Sequence, residues 1–181
     1  FDALCKAWHC TARTDGAFYA EDLLADILAE GQSSRIYSTL VQKKKLFSEV
    51  DIGATASIDP GLMIFEGRLI RGVEMEEAEN ALMCELEKIK CFSKKQEKEL
   101  LKVRNKMESS LVFSEMNILN KAMNMAYAEL LGGAESVNQE ADKYRRVKSD
   151  DIRSRATHIF RESNCSTLYY RAEKNGKPVQ K

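Results

Sequence analysis

Residues 23–47 read LLADILAEGQSSRIYSTLVQKKKLF, and this stretch decides the fold. Leu23, Leu24, Ile27 and Leu28 recur at the spacing of one helix face. Gly31 interrupts that rhythm, which resumes at Ile36, Leu40 and Leu46. The 181 residues include only nine glycines, so one at this point asks for a structural reason. Glycine reaches the left-handed conformation that closes a helix C-terminus without a Cβ clash. Ser33 or Ser34 is expected to open the following helix, its hydroxyl accepting a hydrogen bond from a free amide of the first turn. The stretch therefore predicts a helix, a one-glycine corner and a second helix.

Upstream, residues 2–11 alternate, with Leu4, Trp8 and Cys10 on one side and Ala3, Cys5, Ala7 and His9 on the other. That predicts a strand whose two faces are both fairly apolar. Asp15 and Gly16 open the first helix, which runs to about Glu30. Downstream the period falls to two, where Val50, Ile52, Ala54 and Ala56 alternate with Asp51, Gly53 and Thr55. The turn DPG at 59–61 and the run LMIFEGRLI complete a hairpin. From Glu74 the helical rhythm returns through Met75, Ala78, Leu82, Leu86 and Ile89. Ser93 with Gln96 forms a capping-box signature, and neither Gly nor Pro follows until Gly132. A single helix of that length would run about 58 Å, against an expected radius of gyration of about 16 Å. A break is expected at Ser114, ahead of an apolar rhythm at Met116, Leu119, Met123, Tyr127 and Leu130. Ser136 and Gln139 repeat the capping box, SDDI at 149–152 starts a last helix, and CSTLYY at 165–170 reads as a closing strand. This order implies an α+β domain with a largely antiparallel sheet covered by helices.

A chain of 181 residues that is 44% hydrophobic is expected to form one domain, residues 1–181, around its own core. Its 28 basic and 28 acidic residues cancel, leaving no field to gather phosphates, and nucleic acid is not an expected partner. The short clusters Lys43–Lys45, Lys94 with Lys95, and Arg145 with Arg146 read as solvated surface. No apolar run approaches the roughly 20 residues that span a bilayer, and FDALCKAWHC lacks a leader pattern. A soluble protein, cytoplasmic or periplasmic, is expected. Because the sequence starts at Phe1, inside a strand and without Met, it is expected to be a piece of something longer. Five cysteines without framework spacing predict reduced, mostly buried thiols.

Hydrolytic zinc chemistry needs about three protein ligands around one point. The two histidines, His9 on the first strand and His158 on the last helix, are each the only one in their element. His158 has Glu162 four residues on, on one predicted helix face, but a pair is not a site. His9 reads as a packed or edge histidine. No Gly-x-Ser-x-Gly turn or glycine-rich phosphate loop occurs, and Cys10 beside His9 would point away from it on a strand. Met116, Met123, Met125 and Tyr127 could line a ligand groove, but their helical spacing reads as core. No catalytic or metal-binding residue is assigned. An independent thiol hydrolase using Cys10 or Cys5 would need loss of a measured activity in Cys10→Ser.

The run LLADILAEGQSSRIYSTLVQKKKLFSEV followed by DPGLMIFEGRL resembles the second, non-catalytic half of the pitrilysin, insulysin and mitochondrial processing peptidase family of zinc metallopeptidases. The resemblance continues through QEKELLKVRNKMES, the helix Leu119 to Leu131, EADKYRRVKSDDI and STLYY. It implies a clamshell protease in which two homologous α+β halves enclose an unfolded peptide. The first half carries His-x-x-Glu-His and holds zinc; this chain lacks that motif and is expected to be inactive alone. Many such second halves offer the substrate an arginine and a tyrosine seven residues apart, at positions matched here by Val41 and Ser48. Neither residue is present, so enclosure and peptide binding are what the resemblance leaves. Gly31, Ser33, Ser34 and Arg35 are expected to be mainly architectural, with a contact across to the partner half or the substrate as the other reading. A rival is a non-enzymatic structural or adaptor subunit on the same fold.

Overall fold

The computed structural model describes residues 1–172. Strand β1 (Ala3–His9) leads to helix α1 (Phe18–Ala29), a short helical segment with a π-helical run at Tyr37–Lys43, and the hairpin β2 (Phe47–Ala54) and β3 (Leu62–Leu69). Helices α2 (Met75–Ile89), α3 (Glu97–Ser114), α4 (Ile118–Leu130), α5 (Glu140–Arg146) and α6 (Ser149–Ile159) follow, and β4 (Cys165–Tyr170) closes the order. The sheet runs β2-β3-β1-β4 with every pairing antiparallel, so the first and last strands lie side by side, Leu4 opposite Tyr169 and Trp8 opposite Cys165. The α+β class and the hairpin are as the alternation predicts.

Alternation also sets the layers. Leu4 and Trp8 of β1 and Met63 and Phe65 of β3 are buried against Leu24 and Leu28 of α1, Leu82 and Leu86 of α2, and Ile152 and Ile159 of α6 in one core cluster. The opposite face is less covered: Ala3, Cys5 and Ala7 are half-buried and His9 is exposed. Trp8 meets Phe160 edge-on, the ring centroids 5.1 Å apart, and Phe47 meets Phe65 in the same way at 5.8 Å. Gly67 makes the second pair possible, because a Cβ at that position would lie 2.6 Å from the Phe47 ring and 2.9 Å from Phe65.

Local corrections concern caps. The long helical stretch does break, but Ser114 ends α3 and Asn117 opens α4, its Oδ1 accepting from the amides of Leu119 at 2.9 Å and Asn120 at 3.3 Å. The Gln96 side chain accepts from the Ser93 amide at 3.0 Å, the reciprocal half of a capping box. Ser136 and Gln139 instead lie within a 3-10 segment, Ala134–Gln139, ahead of α5. Asp151 closes the start of α6, accepting from the Lys148 amide at 2.8 Å.

Three charged residues, Lys6, Glu21 and Glu85, sit where apolar ones would be expected, and Glu85 of α2 is paired with Lys88 at 2.6 Å. Lys6 occupies the core side of β1 between Leu4 and Trp8, bonded to Glu79 at 2.6 Å and Thr167 at 2.7 Å. Glu21, fully buried on α1, accepts from the Thr11 amide at 2.9 Å, the Thr11 hydroxyl at 2.8 Å and Arg155 Nε at 2.9 Å. On the same helix, burial and then the neighbouring Asp22 carboxylate push Asp26 up to about 6, with Lys106 pulling the other way. Between pH 4 and 6 the folded chain therefore holds a proton at Asp26 that the unfolded chain has released, and stability falls as pH rises. Asp26→Asn is expected to add about 1–2 kcal/mol at pH 7, the gain fading below about pH 4, as urea unfolding at both pH values will read.

Candidate functional site

The corner builds as its residues require. Gly31 has φ +80°, the left-handed geometry that lets the chain leave α1. Ser34 is buried and turns its hydroxyl back, donating to the Gly31 carbonyl at 2.7 Å. The expected cap, with this hydroxyl accepting from the next helix, does not form; the serine ties off the corner instead. The Ser33 hydroxyl accepts from Lys102 of α3. Arg35 grips Glu99 of α3 with two bonds, Nε at 2.7 Å and Nη2 at 3.0 Å, and lies over the Phe92 ring at 5.3 Å. Gly31, Ser33, Ser34 and Arg35 thus come together as one corner clasped against the chain's own α3.

Beyond the corner, Val41 lies partly buried against the core. Ser48 is exposed at the register shift between Phe47 and Glu49, its hydroxyl donating to the Arg68 carbonyl at 3.2 Å. Neither side chain offers a charge or a phenol to a peptide.

The histidines stay apart. His9 is exposed on β1 rather than packed, and His158 lies in α6. Glu162 falls past the end of α6, in a separate 3-10 turn, so the expected shared helix face does not exist. Burial and then the positive charge of Arg155 and Arg161 lower the His158 pKa. Among the described residues no three His, Cys, Asp or Glu side chains are grouped to hold a metal. The described residues do not fit a zinc centre.

Cysteine placement corrects one expectation. The thiols are free, but Cys84 and Cys91 are exposed, Cys5 and Cys165 half-exposed, and Cys10 alone among the described cysteines is buried. Burial and then the Glu21 charge push Cys10 up to about 11, and burial followed by Glu66 raises Cys5. A nucleophilic cysteine needs the opposite shift.

The methionine stripe is also corrected. Met116 is 78% exposed, Leu119 65% and Met123 61%, with Met125, Tyr127 and Leu130 open as well. Ala128 is the buried residue of α4 among those described. Beneath it, a cleft of about 800 Å³ separates α4 from α1 and α5, lined by Arg13, Tyr19, Leu111, Asn124, Ala128 and Leu131 among others. Tyr127 crosses to the loop after β2, donating to the Ala56 carbonyl at 3.1 Å.

A polar layer between α1 and α5 was missed in the sequence. Arg13 pairs with Glu140, which also accepts from the Tyr19 hydroxyl at 3.1 Å, and the Tyr144 hydroxyl donates to Asp22 at 2.6 Å. Glu21 and Lys6 did carry a signal, since each is a charge placed on an apolar stripe.

Residues 2–107 match the family described as the peptidase M16 inactive domain. The inactive peptidase domain of a candidate zinc protease from Bordetella parapertussis is 27% identical, with 93% of this chain and 91% of that one covered and a TM-score of 0.82. A protease from Helicobacter pylori is 19% identical and superposes with a TM-score of 0.86 over 94% of this chain but only 41% of its own. A chain of complex III2 from Candida albicans, 12% identical, has the same fold, with a TM-score of 0.77 over 93% of this chain and 42% of that one. No curated protein matches the sequence. No helix among the described residues is long and apolar enough to cross a membrane. With more than half its length matched, the chain belongs to the peptidase M16 inactive-domain family.

Proposed function

We propose that residues 1–181 form a single half of a zinc-dependent metalloendopeptidase, the half that encloses an unfolded peptide while a separate catalytic half cleaves it. The observation that carries this reading is the family match over residues 2–107. The Helicobacter pylori protease supports it, since this fold accounts for about two-fifths of that chain. The catalytic half, on the same full-length chain or a partner subunit, holds the zinc through His-x-x-Glu-His.

Enclosure asks little of the half that closes. It must exclude water, restrict access by size and present backbone or apolar surface to an extended chain. Strand β4 lies at a sheet edge with Leu168 and Tyr170 exposed, which suits peptide addition. The Gly31–Arg35 corner acts as architecture in this scheme, holding the segment from Leu40 to Val50 at a fixed angle.

The purified chain, stripped of loosely bound metal, is expected to retain well below one zinc per chain and to leave fluorogenic peptides intact. Adding the polypeptide that carries His-x-x-Glu-His from the same protein is expected to produce cleavage. One tightly held zinc per chain, or hydrolysis by the chain alone, overturns the assignment. A second reading, a structural or adaptor subunit, draws on the complex III2 chain of the same fold. A stable complex with the motif-bearing polypeptide and no cleavage would favour it.

A further inference from the structure

One face of helix α4 meets the body of the domain, and a separate apolar stripe meets none of the core formed by the described residues. Asn124, Ala128 and Leu131, spaced by four and three residues, line the cleft. The separate stripe comprises Met116, just ahead of the helix, then Leu119, Met123, Ala126 and Leu130, and all five are exposed. Their separations of three, four, three and four residues average 3.5, the narrow seam by which one helix packs against another. An extended peptide has a period of two and would not follow such a seam.

We infer that this seam holds a second copy of the chain, α4 against α4 in antiparallel. A two-fold axis midway between Met123 and Ala126 places each Met123 beside the other copy's Ala126 and each Leu119 beside the other copy's Leu130. Large residues then meet small ones at the centre, and leucines meet at both flanks. The opposite register, parallel, sets Ala126 against Ala126 and leaves a gap.

Area and charge agree with this occupant. Phe113, near the end of α3, and Ile118, at the start of α4, are 68% and 87% exposed, whereas Val112 lines the cleft. With Met116, Leu119, Met123 and Leu130, on the order of 100 Å² apiece, Phe113 and Ile118 offer roughly 600 Å². Monomers usually leave only a few hundred Å² of contiguous apolar surface open, and the smaller specific interfaces take about 600 Å² from each partner. The 28 basic and 28 acidic residues cancel, so two copies meet without net repulsion.

Sedimentation equilibrium of the whole chain is expected to show a monomer–dimer equilibrium with a Kd in the roughly micromolar range. Met123→Glu, which changes an exposed side chain and leaves the core intact, is expected to raise that Kd at least tenfold. Leu168→Glu, on the exposed face of β4, is expected to leave it unchanged. A monomer up to about 100 μM overturns the inference and leaves the seam to another occupant, such as a helix of the catalytic half. A dimer that survives Met123→Glu, or one that Leu168→Glu disrupts, overturns it too.

Discussion

Arg155→Ala is expected to lower the unfolding free energy by about 3–5 kcal/mol, read as a fall in urea midpoint with the slope unchanged. The reason lies in what remains. Glu21 has no exposed side-chain surface, and Arg155 supplies the charge that answers its carboxylate, while Thr11 contributes two neutral-donor bonds. Removing the guanidinium strands a charge inside the core, which costs more than the pair itself is worth. Replacing both residues with apolar ones of similar volume, Glu21→Leu with Arg155→Met, is therefore expected to cost less than Arg155→Ala alone. If the double variant is the less stable of the two, the pair itself, and not the orphaned charge, dominates.

Gly67→Val is expected to be nearly as damaging, at about 3 kcal/mol, because β3 has no room at that point. The Cβ alone would lie 2.6 Å from Phe47, inside the contact distance of any two carbons, and two further methyl groups would drive Phe47 and Phe65 off their edge-on packing. Gly53, in the neighbouring strand β2, supplies the control. Nothing lies within 4 Å of a Cβ built there, so Gly53→Val is expected to be neutral or slightly stabilising, since a β-branched residue suits a strand. Thermal unfolding of the two variants side by side will show whether close packing, and not glycine as such, is what β3 requires.

Much of this architecture could be read in the residues. The glycine corner, the hairpin and the closing strand each follow from a local rule, and each has its expected place. Boundaries followed less well where two residues competed for one role. Ser114 and Asn117 are both good caps, and only the folded chain shows which of them presents an oxygen to free amides. The π-helical run at Tyr37–Lys43 left no trace, because one extra residue per turn changes neither composition nor the apolar count.

Helix α4 shows a deeper limit. Periodicity announces that a face is apolar without saying what covers it, so the stripe at Met116 and Met123 read as core and proved to be surface. The candidate site met the same limit. Arg35 could be named from the corner motif, but its partner Glu99 is 64 residues away and belongs to a different helix. By contrast, Lys6 and Glu21 carried a usable signal that went unread, since a charge in register with Leu4 and Trp8, or with Leu24 and Leu28, has to find a buried partner.

The sheet order β2-β3-β1-β4 also bears on how the chain reaches its native state. Strand β1 has two neighbours, and while β3 follows it closely, the Lys6–Thr167 bond to β4 joins residues 161 apart. Such a pairing must pay the entropy of closing almost the entire chain before any contact rewards it. During synthesis β1 waits with one edge open until residues 165–170 have emerged, so completion of the sheet is necessarily a late event. Refolding should be slow for a chain of this size, and the interval before β4 docks is when the unpaired edge of β1 is most open to aggregation.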